Sequence, residues 1–80
     1  VRLISQNGEF DVPYEIAALS RIGNIIRAYA PIVGEKGTVM ATYSTEEKAE
    51  KAMEMLYIGY HEAVTYDNVS VFRFPKDDEV

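Results

Sequence analysis

The stretch from Tyr43 to His61, YSTEEKAEKAMEMLYIGYH, constrains this chain most, because all its signals agree on an α-helix. Ser44 is placed to cap the first turn, its hydroxyl accepting from an orphan amide, while Glu47 three positions on reaches back to the Ser44 amide as a capping box. Glu46 and Glu47 put negative charge at the positive end of the helix dipole, and Glu47 is spaced to pair with Lys51. Ala49, Ala52, Met53, Leu56, Tyr60 and Ala63 recur at steps of three and four as one apolar stripe, with Lys48, Glu50, Lys51 and Glu54 opposite. That stripe is expected to lie on a sheet. Beyond Glu54 the contrast fades: Met55, Leu56, Tyr57, Ile58 and Tyr60 point in nearly every direction, so this half of the helix needs a second cover. Gly59 costs about 1 kcal/mol of helix propensity, so either packing holds the last turns or the helix ends near it.

The flanks read as strands. Val1 to Ser5 is a short apolar run followed by Gln6-Asn7-Gly8, whose Asn-Gly pair signals a hairpin because both residues tolerate positive φ. Phe10 to Tyr14 would return as the second strand, placed at an edge or a bend by Pro13, which lacks an amide donor. Residues 15–31 admit two readings. Ile16, Leu19, Ile22 and Ile26 fit a helix stopped by Gly23, whereas Ile25, Ile26, Tyr29, Ile32 and Val33 are β-rich around a Gly23-Asn24 turn. The hairpin is the reading adopted, and it places Ile22 opposite Ile25, Ser20 opposite Arg27 and Ala18 opposite Tyr29, with Pro31 ending the strand. Gly34-Glu35-Lys36-Gly37 then reads as a loop. Thr38 to Tyr43 alternates Val39, Ala41 and Tyr43 against Thr38, Met40 and Thr42 and runs straight into the helix cap. After the helix, Tyr66-Asp67-Asn68 is a turn, and residues 69–74 alternate as a last strand closed by Pro75. The expectation is an α+β domain: a small antiparallel sheet of about five strands with one main helix on one face, in the order strands, helix, strand. It occupies residues 1–75, with 76–80 as an acidic flexible tail.

At 80 residues the chain is near the size at which one core leaves only a few kcal/mol of net stability, so oligomerisation would help it. It has no cysteine, hence neither a disulfide framework nor a thiolate metal site, and its one histidine argues against a multi-histidine centre. No apolar run of ~18 residues marks a membrane span and no basic-then-apolar segment marks a signal peptide, so the chain reads as cytoplasmic. A net charge of -5 disfavours a duplex-binding surface driven by phosphate neutralisation. No cofactor is expected.

Catalysis finds little support. His61 with Glu62 or Asp67 could act as a base and its orienter, yet no Ser or Cys nucleophile sits in a strained-turn context, and a histidine near a helix end serves the dipole or the surface. The Gly34 to Gly37 segment lacks the Lys-Ser/Thr ending of a phosphate loop. The arginines are more informative. Arg2, Arg21, Arg27 and Arg73 all fall in expected strands, whereas Lys36, Lys48, Lys51 and Lys76 fall in a loop, the helix and the tail. Arginine suits bidentate capture of phosphate or carboxylate and tyrosine offers a stacking face, so Arg27, Tyr29 and Arg73 are the candidate site for an anionic, nucleotide-like small molecule. The plainer reading is that these arginines solvate a sheet and pair with the many acids. Met55, Tyr57 and Ile58, on the far side of the helix, are the candidate interface for self-association.

The stretches RLISQNGEFDVPYE, ATYSTEEKAEKAMEML and FRFPKDDE resemble short uncharacterised proteins encoded by phages and prophages of Gram-positive bacteria. The resemblance covers both ends and the helix, and the region from Ala17 to Val33 adds nothing distinctive. It implies a setting, the cytoplasm of a host cell, and carries over no catalytic residue. The expected function is a non-enzymatic accessory binding protein, a homo-oligomer that antagonises a host defence system by sequestering an anionic ligand or binding a host protein. The alternatives are a virion assembly protein without ligand and an acidic nucleic-acid mimic that blocks a host enzyme.

Overall fold

The structure, a computed structural model, describes residues 1–29, 37–65 and 71–80. Along these the chain forms β1 (Arg2–Ile4), β2 (Asp11–Pro13), a 3-10 turn (Tyr14–Ile16), β3 (Ala18–Ile22), β4 (Ile25–Tyr29), β5 (Thr38–Thr42), α1 (Glu46–Thr65), β6 (Val71–Arg73) and a closing 3-10 turn (Asp77–Glu79). The fold is α+β with the helix following strands, as expected. The strands, about five of them expected in one small antiparallel sheet, are six among the described residues, and they divide between two sheets. The described strands form two sheets of three, ordered β2-β1-β6 and β3-β4-β5, and β6 joins β1 in parallel. The loop expected at 34–36, the strand end at Pro31, the turn at 66–68 and the start of the last strand at 69–70 lie outside the described residues.

The first hairpin forms around Asn7-Gly8, but its loop is longer than two residues. The Ser5 amide donates to the Phe10 carbonyl at 2.9 Å and the Gly8 amide, at φ 78°, to the Ser5 carbonyl at 2.9 Å. The buried Ser5 hydroxyl is satisfied, donating to Asn7 Oδ1 at 2.6 Å and accepting the Phe10 amide at 3.0 Å. Pro13 ends β2, and the 3-10 turn that follows it carries the chain from one sheet to the other. In the second hairpin Gly23 takes φ 60°, and the pairs Ile22 with Ile25, Ser20 with Arg27 and Ala18 with Tyr29 are as read from the Gly-Asn pair. The helical alternative for residues 16–22 is thereby excluded.

In β5 the strict alternation fails. Ala41 pairs with Ile26 and Val39 with Arg27, so Met40 is an extra residue, and the bulge turns both Met40 and Ala41 into the core. The helix begins one residue later than its sequence signal. Thr45 rather than Ser44 is the N-cap: its Oγ1 accepts the Lys48 amide at 3.2 Å and its carbonyl the Ala49 amide at 3.3 Å. Ser44 instead gives its own amide to Asp77 Oδ1 at 2.7 Å. The expected Ser44–Glu47 capping box is therefore replaced by a carboxylate from the chain end. Ala49, Ala52, Met53, Leu56 and Ala63 are buried and Tyr60 half-buried, the stripe read from spacing. The helix runs through Gly59 because packing holds it there, with the Phe72 ring lying over the glycine.

The two sheets and the helix share one core, in which Leu3, Val12 and Phe74 from the first sheet side meet Ile26, Met40 and Leu56. Residues 76–80, expected as a flexible tail, lie against the start of the helix, where Asp77 finds its partners. Lys48 Nζ donates to the Asp77 carbonyl at 2.8 Å and to Asp77 Oδ2 at 3.2 Å, the Lys76 amide to Glu79 Oε1 at 2.8 Å, and Val80 packs on the core. The Tyr43 hydroxyl donates to the Pro75 carbonyl at 2.7 Å.

Three outcomes are expected. A Cβ at Gly59 would stand 3.6 Å from Phe72 Cδ2, ordinary contact, so Gly59→Ala should stabilise the fold by about 1 kcal/mol and raise Tm by roughly 4–8 °C in a calorimetric scan. Burial, with the charges of Asp77 and Glu79, pushes the Tyr43 hydroxyl from 10.0 up to about 12. Its stabilisation is complete below pH 10 and disappears as pH rises toward 12; absorbance titration should show a late phenolate step that Tyr43→Phe removes. The Ser44 amide, with Lys48, holds the Asp77 carboxyl below its ordinary 3.8, so Asp77 stabilises above that pH and ceases to as pH falls through its folded value. Asp77→Asn should lower the urea midpoint at pH 7, and the difference from wild type should shrink progressively as the pH is taken below 3.8.

Candidate functional site

The pleat of the second sheet decides where its side chains go. Arg21 lies opposite buried Ile26, on the helix side, where its guanidinium meets Glu46 at 3.1 Å and Glu50 at 3.4 Å. Arg27, opposite Ser20 and Val39, is on the outer face, and Tyr29 follows on the same face two residues on. The Tyr29 ring has a structural duty as well. It covers Gly37, where a Cβ would come within 2.6 Å of Tyr29 Cδ1 and 2.7 Å of the Ala28 carbonyl, and Gly37 holds φ 69°. Arg73 belongs to the other sheet, beside Ile4, with its guanidinium 3.5 Å from the Gln6 carbonyl. The three residues read as a ligand site are thus split, Arg27 with Tyr29 and Arg73 apart.

Charge pairing separates the four arginines in a useful way. Arg2 is bound by both carboxylate oxygens of Asp11 at 3.0 Å, and Arg21 by two helix acids. Among the described residues Arg27 and Arg73 have no carboxylate partner. A shallow depression of about 100 Å3 lies against β5, and its walls include Val39, the cross-strand neighbour of Arg27, and Gln6, the contact of Arg73. That volume admits about three waters and is well below the ~300 Å3 at which drug-sized pockets begin.

Among the described residues, the second half of the helix carries Met55, Tyr57, Ile58 and Val64 as exposed apolar side chains. Tyr14, at the end of the first hairpin, stacks on Tyr60 with ring centroids 4.5 Å apart and planes at 29°. Burial, with Tyr57, Tyr60 and Glu15 nearby, raises the Tyr14 hydroxyl. Around this stack Ile16 is 55% exposed, Tyr57 54% and Val64 62%. Tyr57, Tyr60 and Val64, at steps of three and four, form a second stripe beside the core stripe. Met55 and Ile58, also exposed, lie further round the helix among Lys51, Glu54 and Glu62, so the three residues read as an interface divide between two faces. Spacing alone does not mark Tyr60, Ile16 or Val64 as interface residues: the seven-residue step from Tyr57 to Val64 is the one local signal, and the Tyr14–Tyr60 contact, between distant segments, has none.

His61 and Glu62 are exposed at the helix surface, and Asp67 lies outside the described residues. Among the described residues no cluster of His, Asp and Glu has metal-holding geometry, and no helix is long and apolar enough to cross a membrane. No protein-family model, no curated protein and no solved structure matches the chain.

Proposed function

We propose that this chain is a non-enzymatic binding protein of the phage accessory kind that its sequence resembles, and that it antagonises a host system by occupying a host protein. The observation that carries the reading is the Tyr14–Tyr60 stack with Ile16, Tyr57 and Val64 exposed around it. Aromatic rings bury much apolar area at low entropic cost, and a contiguous exposed cluster of them marks an interaction surface. A second reading, capture of a small anionic ligand, draws on Arg27 and Arg73, which lack carboxylate partners among the described residues and neighbour two walls of the β5 depression, Val39 and Gln6. The depression is too small to enclose a nucleotide, so such a ligand would lie on the surface or between copies.

Affinity capture from a host lysate, followed by native mass spectrometry, tests both. Tyr57→Ser with Val64→Ser should keep the Tm and weaken capture of a stoichiometric host protein by about thirtyfold, the loss that marks a hot spot. The same protein captured equally by this variant would overturn the contact surface. Extra mass of a few hundred daltons, lost in Arg27→Ala with Arg73→Ala, would favour the ligand instead.

A further inference from the structure

The described strands leave few backbone edges open, and they differ in how they are protected. The outer edge of β5 is closed by Gln6, whose amide donates to the Met40 carbonyl at 2.7 Å and whose Oε1 accepts the Thr42 amide at 3.1 Å. β2 and β6 are three residues each, and β2 carries Pro13, devices that blunt an edge. β3 has neither. It is five residues long, ALSRI, without proline, lysine or bulge, and Ile22 beside its open edge is 72% exposed. In a hairpin with a two-residue loop the flanking pair exchanges hydrogen bonds, so Ile22, Ser20 and Ala18 direct their amides and carbonyls to β4. Leu19 and Arg21 direct theirs outward.

We propose that β3 pairs antiparallel with β3 of a second copy about a two-fold axis at Ser20, joining the two β3-β4-β5 sheets into one. Of the registers that bring outward-facing groups together, one centred on Arg21 would oppose two arginines. One centred on Leu19 would call on the Ala17 amide, already given to the Tyr14 carbonyl at 3.2 Å. The register at Ser20 avoids both. It sets Leu19 opposite Arg21 of the second copy, pairing the amides and carbonyls of both, and sets exposed Ile22 over Ala18. The Arg21 guanidinium remains with Glu46 and Glu50 of its own helix, so its charge is already balanced and only its aliphatic stem faces the leucine. An identical strand is the occupant that fits, because it presents the same donors and acceptors in the reverse order, as an isologous contact requires. The seam is made by Ala18–Ile22 and its test reads self-association, whereas the proposed function is read by capture of a host protein, so the two hold or fail independently.

The chain has no cysteine, which makes single-cysteine variants clean probes. Across the two-fold, Ser20 and its counterpart form a non-hydrogen-bonded pair with Cα atoms about 4.5 Å apart, inside the disulfide range. Sedimentation should show a wild-type dimer. Mild oxidation should convert Ser20→Cys to a covalent dimer; Ile22→Cys should cross-link only when mixed with Ala18→Cys. Ser20→Glu gains Arg27 as a partner within its own hairpin but faces a second glutamate across the seam, so it should keep the wild-type circular dichroism spectrum while raising the dimer dissociation constant at least about fivefold. A monomeric wild type would overturn the proposal, as would a dimer untouched by Ser20→Glu or cross-linking of Ile22→Cys alone equal to that of Ser20→Cys.

Discussion

Gln6 is the residue on which the joining of this fold rests. Two three-stranded sheets of short strands are each too small to persist alone, and they become one body only where something crosses between them. Gln6 does so with its whole functional complement. Its amide and Oε1 close the edge of β5, and its Nε2 donates at 3.2 Å to the Pro75 carbonyl, which also receives the Tyr43 hydroxyl. One side chain in the first hairpin loop thus ties together the strand before the helix and the segment after the last strand. A shorter or apolar residue there would leave the Thr42 amide without its acceptor and open the edge that the bulge at Met40 already bends.

The chain end completes the same arrangement electrostatically. The helix starts on Thr45, but the carboxylate that meets the first turn belongs to Asp77, held between the Ser44 amide and Lys48. Phe74, fully buried, anchors this segment, and Pro75 and Asp77 then meet the polar ends of Gln6, Tyr43 and Lys48. The acidic run is a clasp over the helix N-terminus, and Arg21 performs the matching task from β3 by pairing with Glu46 and Glu50.

What could be read from residues alone was what local chemistry decides. Gly23-Asn24 fixed a hairpin to the residue, the three-and-four spacing fixed the buried helix face, and all four arginines do lie in strands. What could not be read depends on distant partners. Ser44 and Thr45 are equally competent caps, and the choice follows from Asp77 arriving more than thirty residues later in sequence. Met40 reads as one face of an alternating strand until the register with β4 slips. The parallel pairing of β1 with β6 has no local signature, so the residues alone group Arg73 with Arg27 although they stand on different sheets. For the same reason Tyr60 reads as core when it is the base on which Tyr14 stacks.

The β1–β6 pairing sets an order of events for folding. β3, β4, β5 and the helix are contiguous in the chain, so their contacts close short loops. The sheet β2-β1-β6 instead requires β1 to wait for a strand that comes after the helix, and the Gln6–Pro75 bond spans 69 residues. Loop closure over that distance is paid late and slows the final step without costing much stability. Until β6 docks, Leu3 and Val12 lack the cover of Phe74, so the chain is most exposed to misassociation just before that step.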